Sequence, residues 1–116
     1  MGVRKRLKII EGTRDKFQGT FVRYGKKPSY RGYPKKTLLL KDIMRGSEIV
    51  ANHVWFVMTK GFEALGDLQE GDRIEFHARV KPYYRGYNGY RKEVHLEKPI
   101  ELDYKLSHPT KIRIIQ

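Results

Sequence analysis

Period-two alternation of apolar and polar residues dominates the chain and predicts a protein built of strands. In residues 16–24, Phe17, Gly19 and Phe21 alternate with Gln18, Thr20 and Val22. A glycine inside a strand marks a bulge or a tight bend. Residues 26–36 hold Pro28, Gly32 and Pro34 and predict a loop. A second strand follows at 37–43 with Leu38, Leu39 and Leu40 in a row, then a turn at Arg45, Gly46 and Ser47. Residues 48–58 are rich in β-branched and aromatic side chains and predict a third strand.

The pattern then changes period once. Phe62, Leu65 and Leu68 share one side of a short helix predicted over 60–68, which Gly71 ends. Residues 72–80 show the cleanest alternation, with Ile74, Phe76, Ala78 and Val80 against Arg73, Glu75, His77 and Arg79. That is a half-buried strand with a solvent face. Residues 82–91 predict a second loop and 92–97 a fifth strand with Val94 and Leu96 inward, broken by Pro99. Ile100, Leu102, Tyr104 and Leu106 alternate again; His108 and Pro109 predict a turn, and 111–116 a tail that pairs with the sheet edge. No domain boundary interrupts the 116 residues, which suit one core.

Charge sharpens this picture through its placement. The net charge is +12, and thirteen of the 25 basic residues lie in 1–8, 26–36 and 81–92. Those three segments contain no acid, so the remaining chain is close to neutral. Concentrated positive charge implies a polyanionic partner, since neutralised phosphates release counterions. There is no cysteine, which excludes disulfides, thiolate chemistry and Cys-based zinc sites. The charged start has no apolar run behind it and no stretch reaches the length of a membrane span, so the expectation is a cytoplasmic protein without a membrane partner.

The chemistry sits in two of the basic segments. Tyr30, Arg31, Gly32 and Tyr33 recur as Tyr84, Arg85, Gly86 and Tyr87, and six of the eight tyrosines (Tyr30, Tyr33, Tyr83, Tyr84, Tyr87 and Tyr90) lie here. Lys26, Lys27, Arg31, Lys35 and Lys36 surround the first copy; Lys81, Arg85, Arg91 and Lys92 surround the second. Rings stack on unpaired bases, cations meet phosphates, and glycine lets the backbone come close. One such loop would be explained by tyrosines packing locally. Two copies of one tetrapeptide without an acid favour a ligand.

The order of elements resembles the OB-fold: strand with a glycine, loop, strand, turn, strand, helix, Gly71-Asp72, strand, loop, strand. The string Leu68-Gln69-Glu70-Gly71-Asp72-Arg73-Ile74-Glu75-Phe76-His77-Ala78 is similar to the helix-to-fourth-strand passage of many OB proteins. The resemblance implies an all-β fold with one short helix, a five-stranded Greek-key barrel over about 16–98. A basic N-terminal arm, 1–8, would precede it and a strand extension, 99–116, would follow. It also implies a nucleic-acid groove across strands two and three, bounded by the connections 25–36 and 81–91. The second strand offers only Lys41 there. The third offers Trp55 or Phe56, one of which faces the core and the other the groove, since neighbours on a strand alternate sides. A tryptophan on a central strand is more often core than ligand platform.

The competing readings are weaker. His53, His77, His95 and His108 show no metal spacing. The acids near the helix read as its solvated side. No nucleophile–base pair or Gly-rich phosphate loop appears, so neither an enzyme nor a cofactor is expected. The expected function is largely sequence-independent binding of single-stranded DNA. RNA in a translation role, or an acidic protein gripped by the same loops, are the alternatives. Contacts are expected from Lys26, Lys27, Tyr30, Arg31, Tyr33, Lys35, Lys36, Lys41, Trp55, Arg79, Lys81, Tyr83, Tyr84, Arg85, Tyr87, Tyr90 and Arg91.

Overall fold

A computed structural model describes residue 7 and residues 11–28, 32–85 and 101–115, with Tyr84, Arg85 and 101–103 placed through their backbone. Five strands form one antiparallel sheet: β1 (Arg14–Lys27), β2 (Lys35–Arg45), β3 (Glu48–Val57), β4 (Arg73–Arg85) and β5 (Glu101–Ile115). Their spatial order is β3-β2-β1-β4-β5. One short helix, α1 (Lys60–Glu63), lies between β3 and β4 as the sequence predicts. Thr59 caps it, its hydroxyl accepting from the Phe62 N–H at 3.5 Å.

The strands are longer than the hydrophobic pattern shows. β1 and β2 extend past Tyr24 and before Thr37, shortening the first loop to 28–34. Backbone pairing continues there although the side chains leave the core: Gly25 opposes Thr37, Lys26 opposes Lys36, and Lys27 opposes Lys35. β4 runs through Pro82, which the sequence places in a loop. The reason lies in the ladder. Val80 donates to the Thr13 carbonyl, so Pro82, two residues on, points its missing N–H the same way, past the start of β1. Pro109 likewise sits in an edge strand, at a register shift where His77 opposes Thr110 and Arg79 opposes Ser107. His108 and Lys111 take positive φ beside it, which carries β5 on through the predicted turn.

Two expectations are corrected. The helix spans 60–63 rather than 60–68; Leu68 is still buried, but in the turn leading to β4. The sheet is open rather than a closed barrel: β3 and β5 are its edges, and among the described residues no pairing joins them. The predicted fifth strand at 92–97 lies outside the described residues, and the strand that pairs with β4 is 101–115. Its last residues, Arg113 to Ile115, lie opposite Glu75 to Arg73, the edge pairing expected of the tail. Leu7, assigned to a basic arm, is fully buried in the core.

The core fills the concave side of the sheet. Phe17, Phe21, Leu38, Leu40, Val54, Phe56, Ile74, Phe76, Ala78 and Val80 point inward, and α1 adds Phe62. Phe56 of β3 meets Phe76 of β4 edge-on at 5.4 Å, and Phe62 at 5.6 Å. Two strands lie between β3 and β4, so flat geometry would hold the two about 14 Å apart. Their contact requires a strongly curled sheet. Gly19 permits the bend: a Cβ there would stand 2.8 Å from Ile43 Cδ1 and 3.2 Å from Leu40 Cβ. Truncating the contact should therefore be expensive. Phe56→Ala is expected to destabilise the fold by about 3–5 kcal/mol, measured by urea unfolding.

Candidate nucleic-acid interface

The inward set 74, 76, 78 and 80 leaves Arg73, Glu75, His77, Arg79, Lys81 and Tyr83 on the outer face of β4. On β1 the outer row is Arg14, Lys16, Gln18 and Thr20, continuing after a bulge as Arg23, Gly25 and Lys27. Lys41 and His53 stand exposed on β2 and β3.

Trp55 resolves the choice left by the sequence. Phe56 is buried and Trp55 is 44% exposed on the outer face. The preference of tryptophan for the core holds for central strands, and β3 is an edge. Its ring crosses β2 toward β1, where Gly25 leaves room for it; a Cβ at Gly25 would lie 2.8 Å from Trp55 Cζ3. The Arg23 guanidinium lies 5.0 Å from the ring centroid, within cation–π range. A groove of about 550 Å³ opens beside them, lined by Trp55, Gly25, Arg23, Lys26, Lys27 and Pro28 among others. Among the described residues no carboxylate lines it.

Sequence reasoning missed Arg23 and Gly25. The available signal was alternation: Arg23, Gly25 and Lys27 continue the outer row if the strand is carried past Tyr24. Tyr24 itself braces the fold. Its hydroxyl accepts from the Leu68 N–H at 2.9 Å, its ring packs on Phe21, and the Lys36 ammonium lies 4.0 Å from its centroid.

The remaining expected residues divide clearly. Tyr33 is 93% exposed in the first loop, and Lys26, Lys27, Lys35 and Lys36 are exposed at its base. Arg79 is exposed, while Lys81 and Tyr83 are half-buried on β4. Tyr84 and Arg85 belong to β4, opposite Leu102 and Glu101, not to a loop. Tyr30, Arg31, Tyr87, Tyr90 and Arg91 lie outside the described residues. Register separates the described parts of the two segments along the sheet. The first follows the C-terminal end of β1, whereas Lys81–Arg85 runs out beyond its N-terminal end.

Between these ends the outer cations are tied to the protein. Glu75 is buried and takes Lys16 at 3.7 Å and the Arg113 guanidinium. Arg73 donates to Gln18 at 3.0 Å. Arg14 donates to the His108 carbonyl at 2.6 Å and to the Thr110 hydroxyl at 2.9 Å. Among the described residues, no group of histidines and carboxylates could hold a metal, and no helix is long and apolar enough to cross a membrane.

The Arg113 hydrogen bond, against some opposing burial, holds the Glu75 carboxyl below the ordinary glutamate range. A carboxyl depressed on folding gives stability that is complete above its unfolded pKa and is lost as pH falls through the folded one. Glu75→Gln is therefore expected to lower the melting temperature at neutral pH and to flatten the acid limb of the stability profile, both read by thermal melts from pH 3 to 7.

No protein-family model, curated protein or solved structure matches the chain, so the meaning of this face rests on its own residues.

Proposed function

We propose that this protein binds single-stranded nucleic acid, DNA in preference to RNA and with little sequence preference, on the outer face of β1, β2 and β3. One observation carries the reading. At the end of the β1–β2 hairpin Lys27 opposes Lys35 on the outer face, and the neighbouring like-charge pair, Lys26 and Lys36, projects from the other side of the same ribbon. Like charges directly opposite one another destabilise a sheet. Among the described residues none of the four has a carboxylate partner. Such an arrangement weakens the free protein and is relieved by a polyanion.

The neighbouring chemistry supports a strand of bases as that polyanion. Trp55 supplies a stacking face, Arg23 a planar cation, and Gly25 the low wall between them. Stacking contributes about 1–3 kcal/mol per base and tolerates any sequence, because every base has a π-face. Lys41 continues the basic surface across β2. Tyr30, Arg31 and Tyr33 follow in the loop, and Tyr84, Arg85, Tyr87, Tyr90 and Arg91 are the matching candidates of the second copy. Five antiparallel strands with a helix between the third and fourth suit the OB-fold reading, in which a strand of nucleic acid crosses β2 and β3. The protein acts as a binding module without a reaction of its own, in the cytoplasm.

The test uses opposite signs in one variant. Lys35→Glu turns a repulsive pair with Lys27 into an attractive one. It is expected to raise stability by about 0.2–1 kcal/mol and to weaken binding of labelled oligo-dT. Wild-type affinity should fall with salt at a log–log slope of about −3.5, corresponding to about five phosphates. If the variant binds oligo-dT as the parent does, or if salt leaves affinity unchanged, the reading is wrong and an acidic protein becomes the better candidate for the same lysines.

A further inference from the structure

The outer face carries a second pairing of a cation with a ring, far from Trp55. Lys105 on β5 lies 5.8 Å from the centroid of Tyr83 on β4. Beside it Lys81 and Lys105 oppose each other directly, another like-charge pair in the sheet. Arg79, exposed, opposes Arg14 two residues earlier on β4. The pattern of the β1–β2 hairpin end is thus repeated: opposed cations, with a ring at hand. The acids registered at this end, Asp103 opposite Tyr83 and Glu101 opposite Arg85, belong to β5.

These two stations are not continuous. Nine residue steps along β1, from Arg23 back to Arg14, and then four along β4, from Arg79 to Tyr83, separate them along the sheet. At about 3.3 Å per residue the path is roughly 40 Å. The stretch between is the one in which Lys16, Arg113, Arg73 and Arg14 are already held by Glu75, Gln18 and the β5 backbone. Cations without a carboxylate partner among the described residues therefore gather toward both ends, the second also carrying Asp103 and Glu101 on β5, while Lys16, Arg113, Arg73 and Arg14 are satisfied in a belt between them.

We infer that the protein holds one single strand at two separate stations, Arg23–Trp55 and Lys105–Tyr83, with the intervening nucleotides passing over the belt. The inference rests on the proposed function and adds its geometry. A strand too short to span both stations binds at one of them only. A strand long enough binds the second intramolecularly, which multiplies affinity by about 10²–10⁴ without new chemistry.

Oligo-dT of four and of sixteen nucleotides, labelled with fluorescein, distinguishes the cases by anisotropy. Trp55 is the only tryptophan, so its emission separately reports occupancy of the first station. The sixteen-mer is expected to bind at least about 100-fold more tightly than the four-mer. Tyr83→Ala should remove most of that difference while leaving the quenching of Trp55 by the four-mer unchanged. Trp55→Ala should also remove most of it. Lys81→Glu with Lys105→Glu repeats the Tyr83 test should the ring prove necessary for folding, which a melting curve shows. If the sixteen-mer binds tightly and neither alteration at the β4–β5 station weakens it, there is one station and this inference fails while the proposed function stands. If neither oligonucleotide binds at low salt, the proposed function itself fails.

Discussion

The edge-to-face contact of Phe56 with Phe76 decides the shape of the whole molecule. Among the described residues, five strands and a four-residue helix supply no second layer over the apolar face, so the sheet covers much of that face itself. Curling brings β3 and β4 into contact across two intervening strands, and the rings of Phe17 and Phe62 fill the space around them. Gly19 and the register shifts in β1 allow the curl. The outer face is convex as a result. Its long side chains diverge, which eases the crowding of cations and leaves room for Trp55 to lie flat across its neighbours.

Cations on this face obey two regimes. Where acceptors are built in, as at Glu75, charge is absorbed into the fold and contributes to its stability. Where lysine faces lysine across a ladder, no carboxylate among the described residues neutralises the pair, and only the rings of Tyr24 and Tyr83 stand near a cation. The contrast within one sheet makes the lysine pairs informative. A surface charged only for solubility would avoid placing like charges directly opposite.

Much of the fold was legible in the sequence because alternation is a direct image of the pleat. Phe17, Gly19 and Phe21 faced inward as their spacing required, and so did Ile74, Phe76, Ala78 and Val80. Strand ends were not legible. Lys26, Lys27, Tyr83 and Arg85 are held by backbone pairing after the side chains have left the core, and no hydrophobic signal marks that. Pro82 misled because its tolerance depends on where a different strand begins. The chemistry of the loops was visible as composition, but its division between two ends of β1 depends on long-range register. Trp55 could be assigned a side only once its neighbour Phe56 was seen to pack against Phe76. Arg23 and Gly25 acquire meaning only from the ring that crosses to them.

Trp55 and Phe56 are consecutive, and that adjacency ties recognition to register. A slip of β3 by one residue against β2 would exchange them, driving the indole into the core and turning Phe56 to solvent. The same slip would turn His53 inward and Val54 outward, so it would cost core packing together with the platform. Its mark would be a shielded indole. Preparations of this protein are accordingly better judged by the solvent accessibility of one side chain than by their content of β-structure.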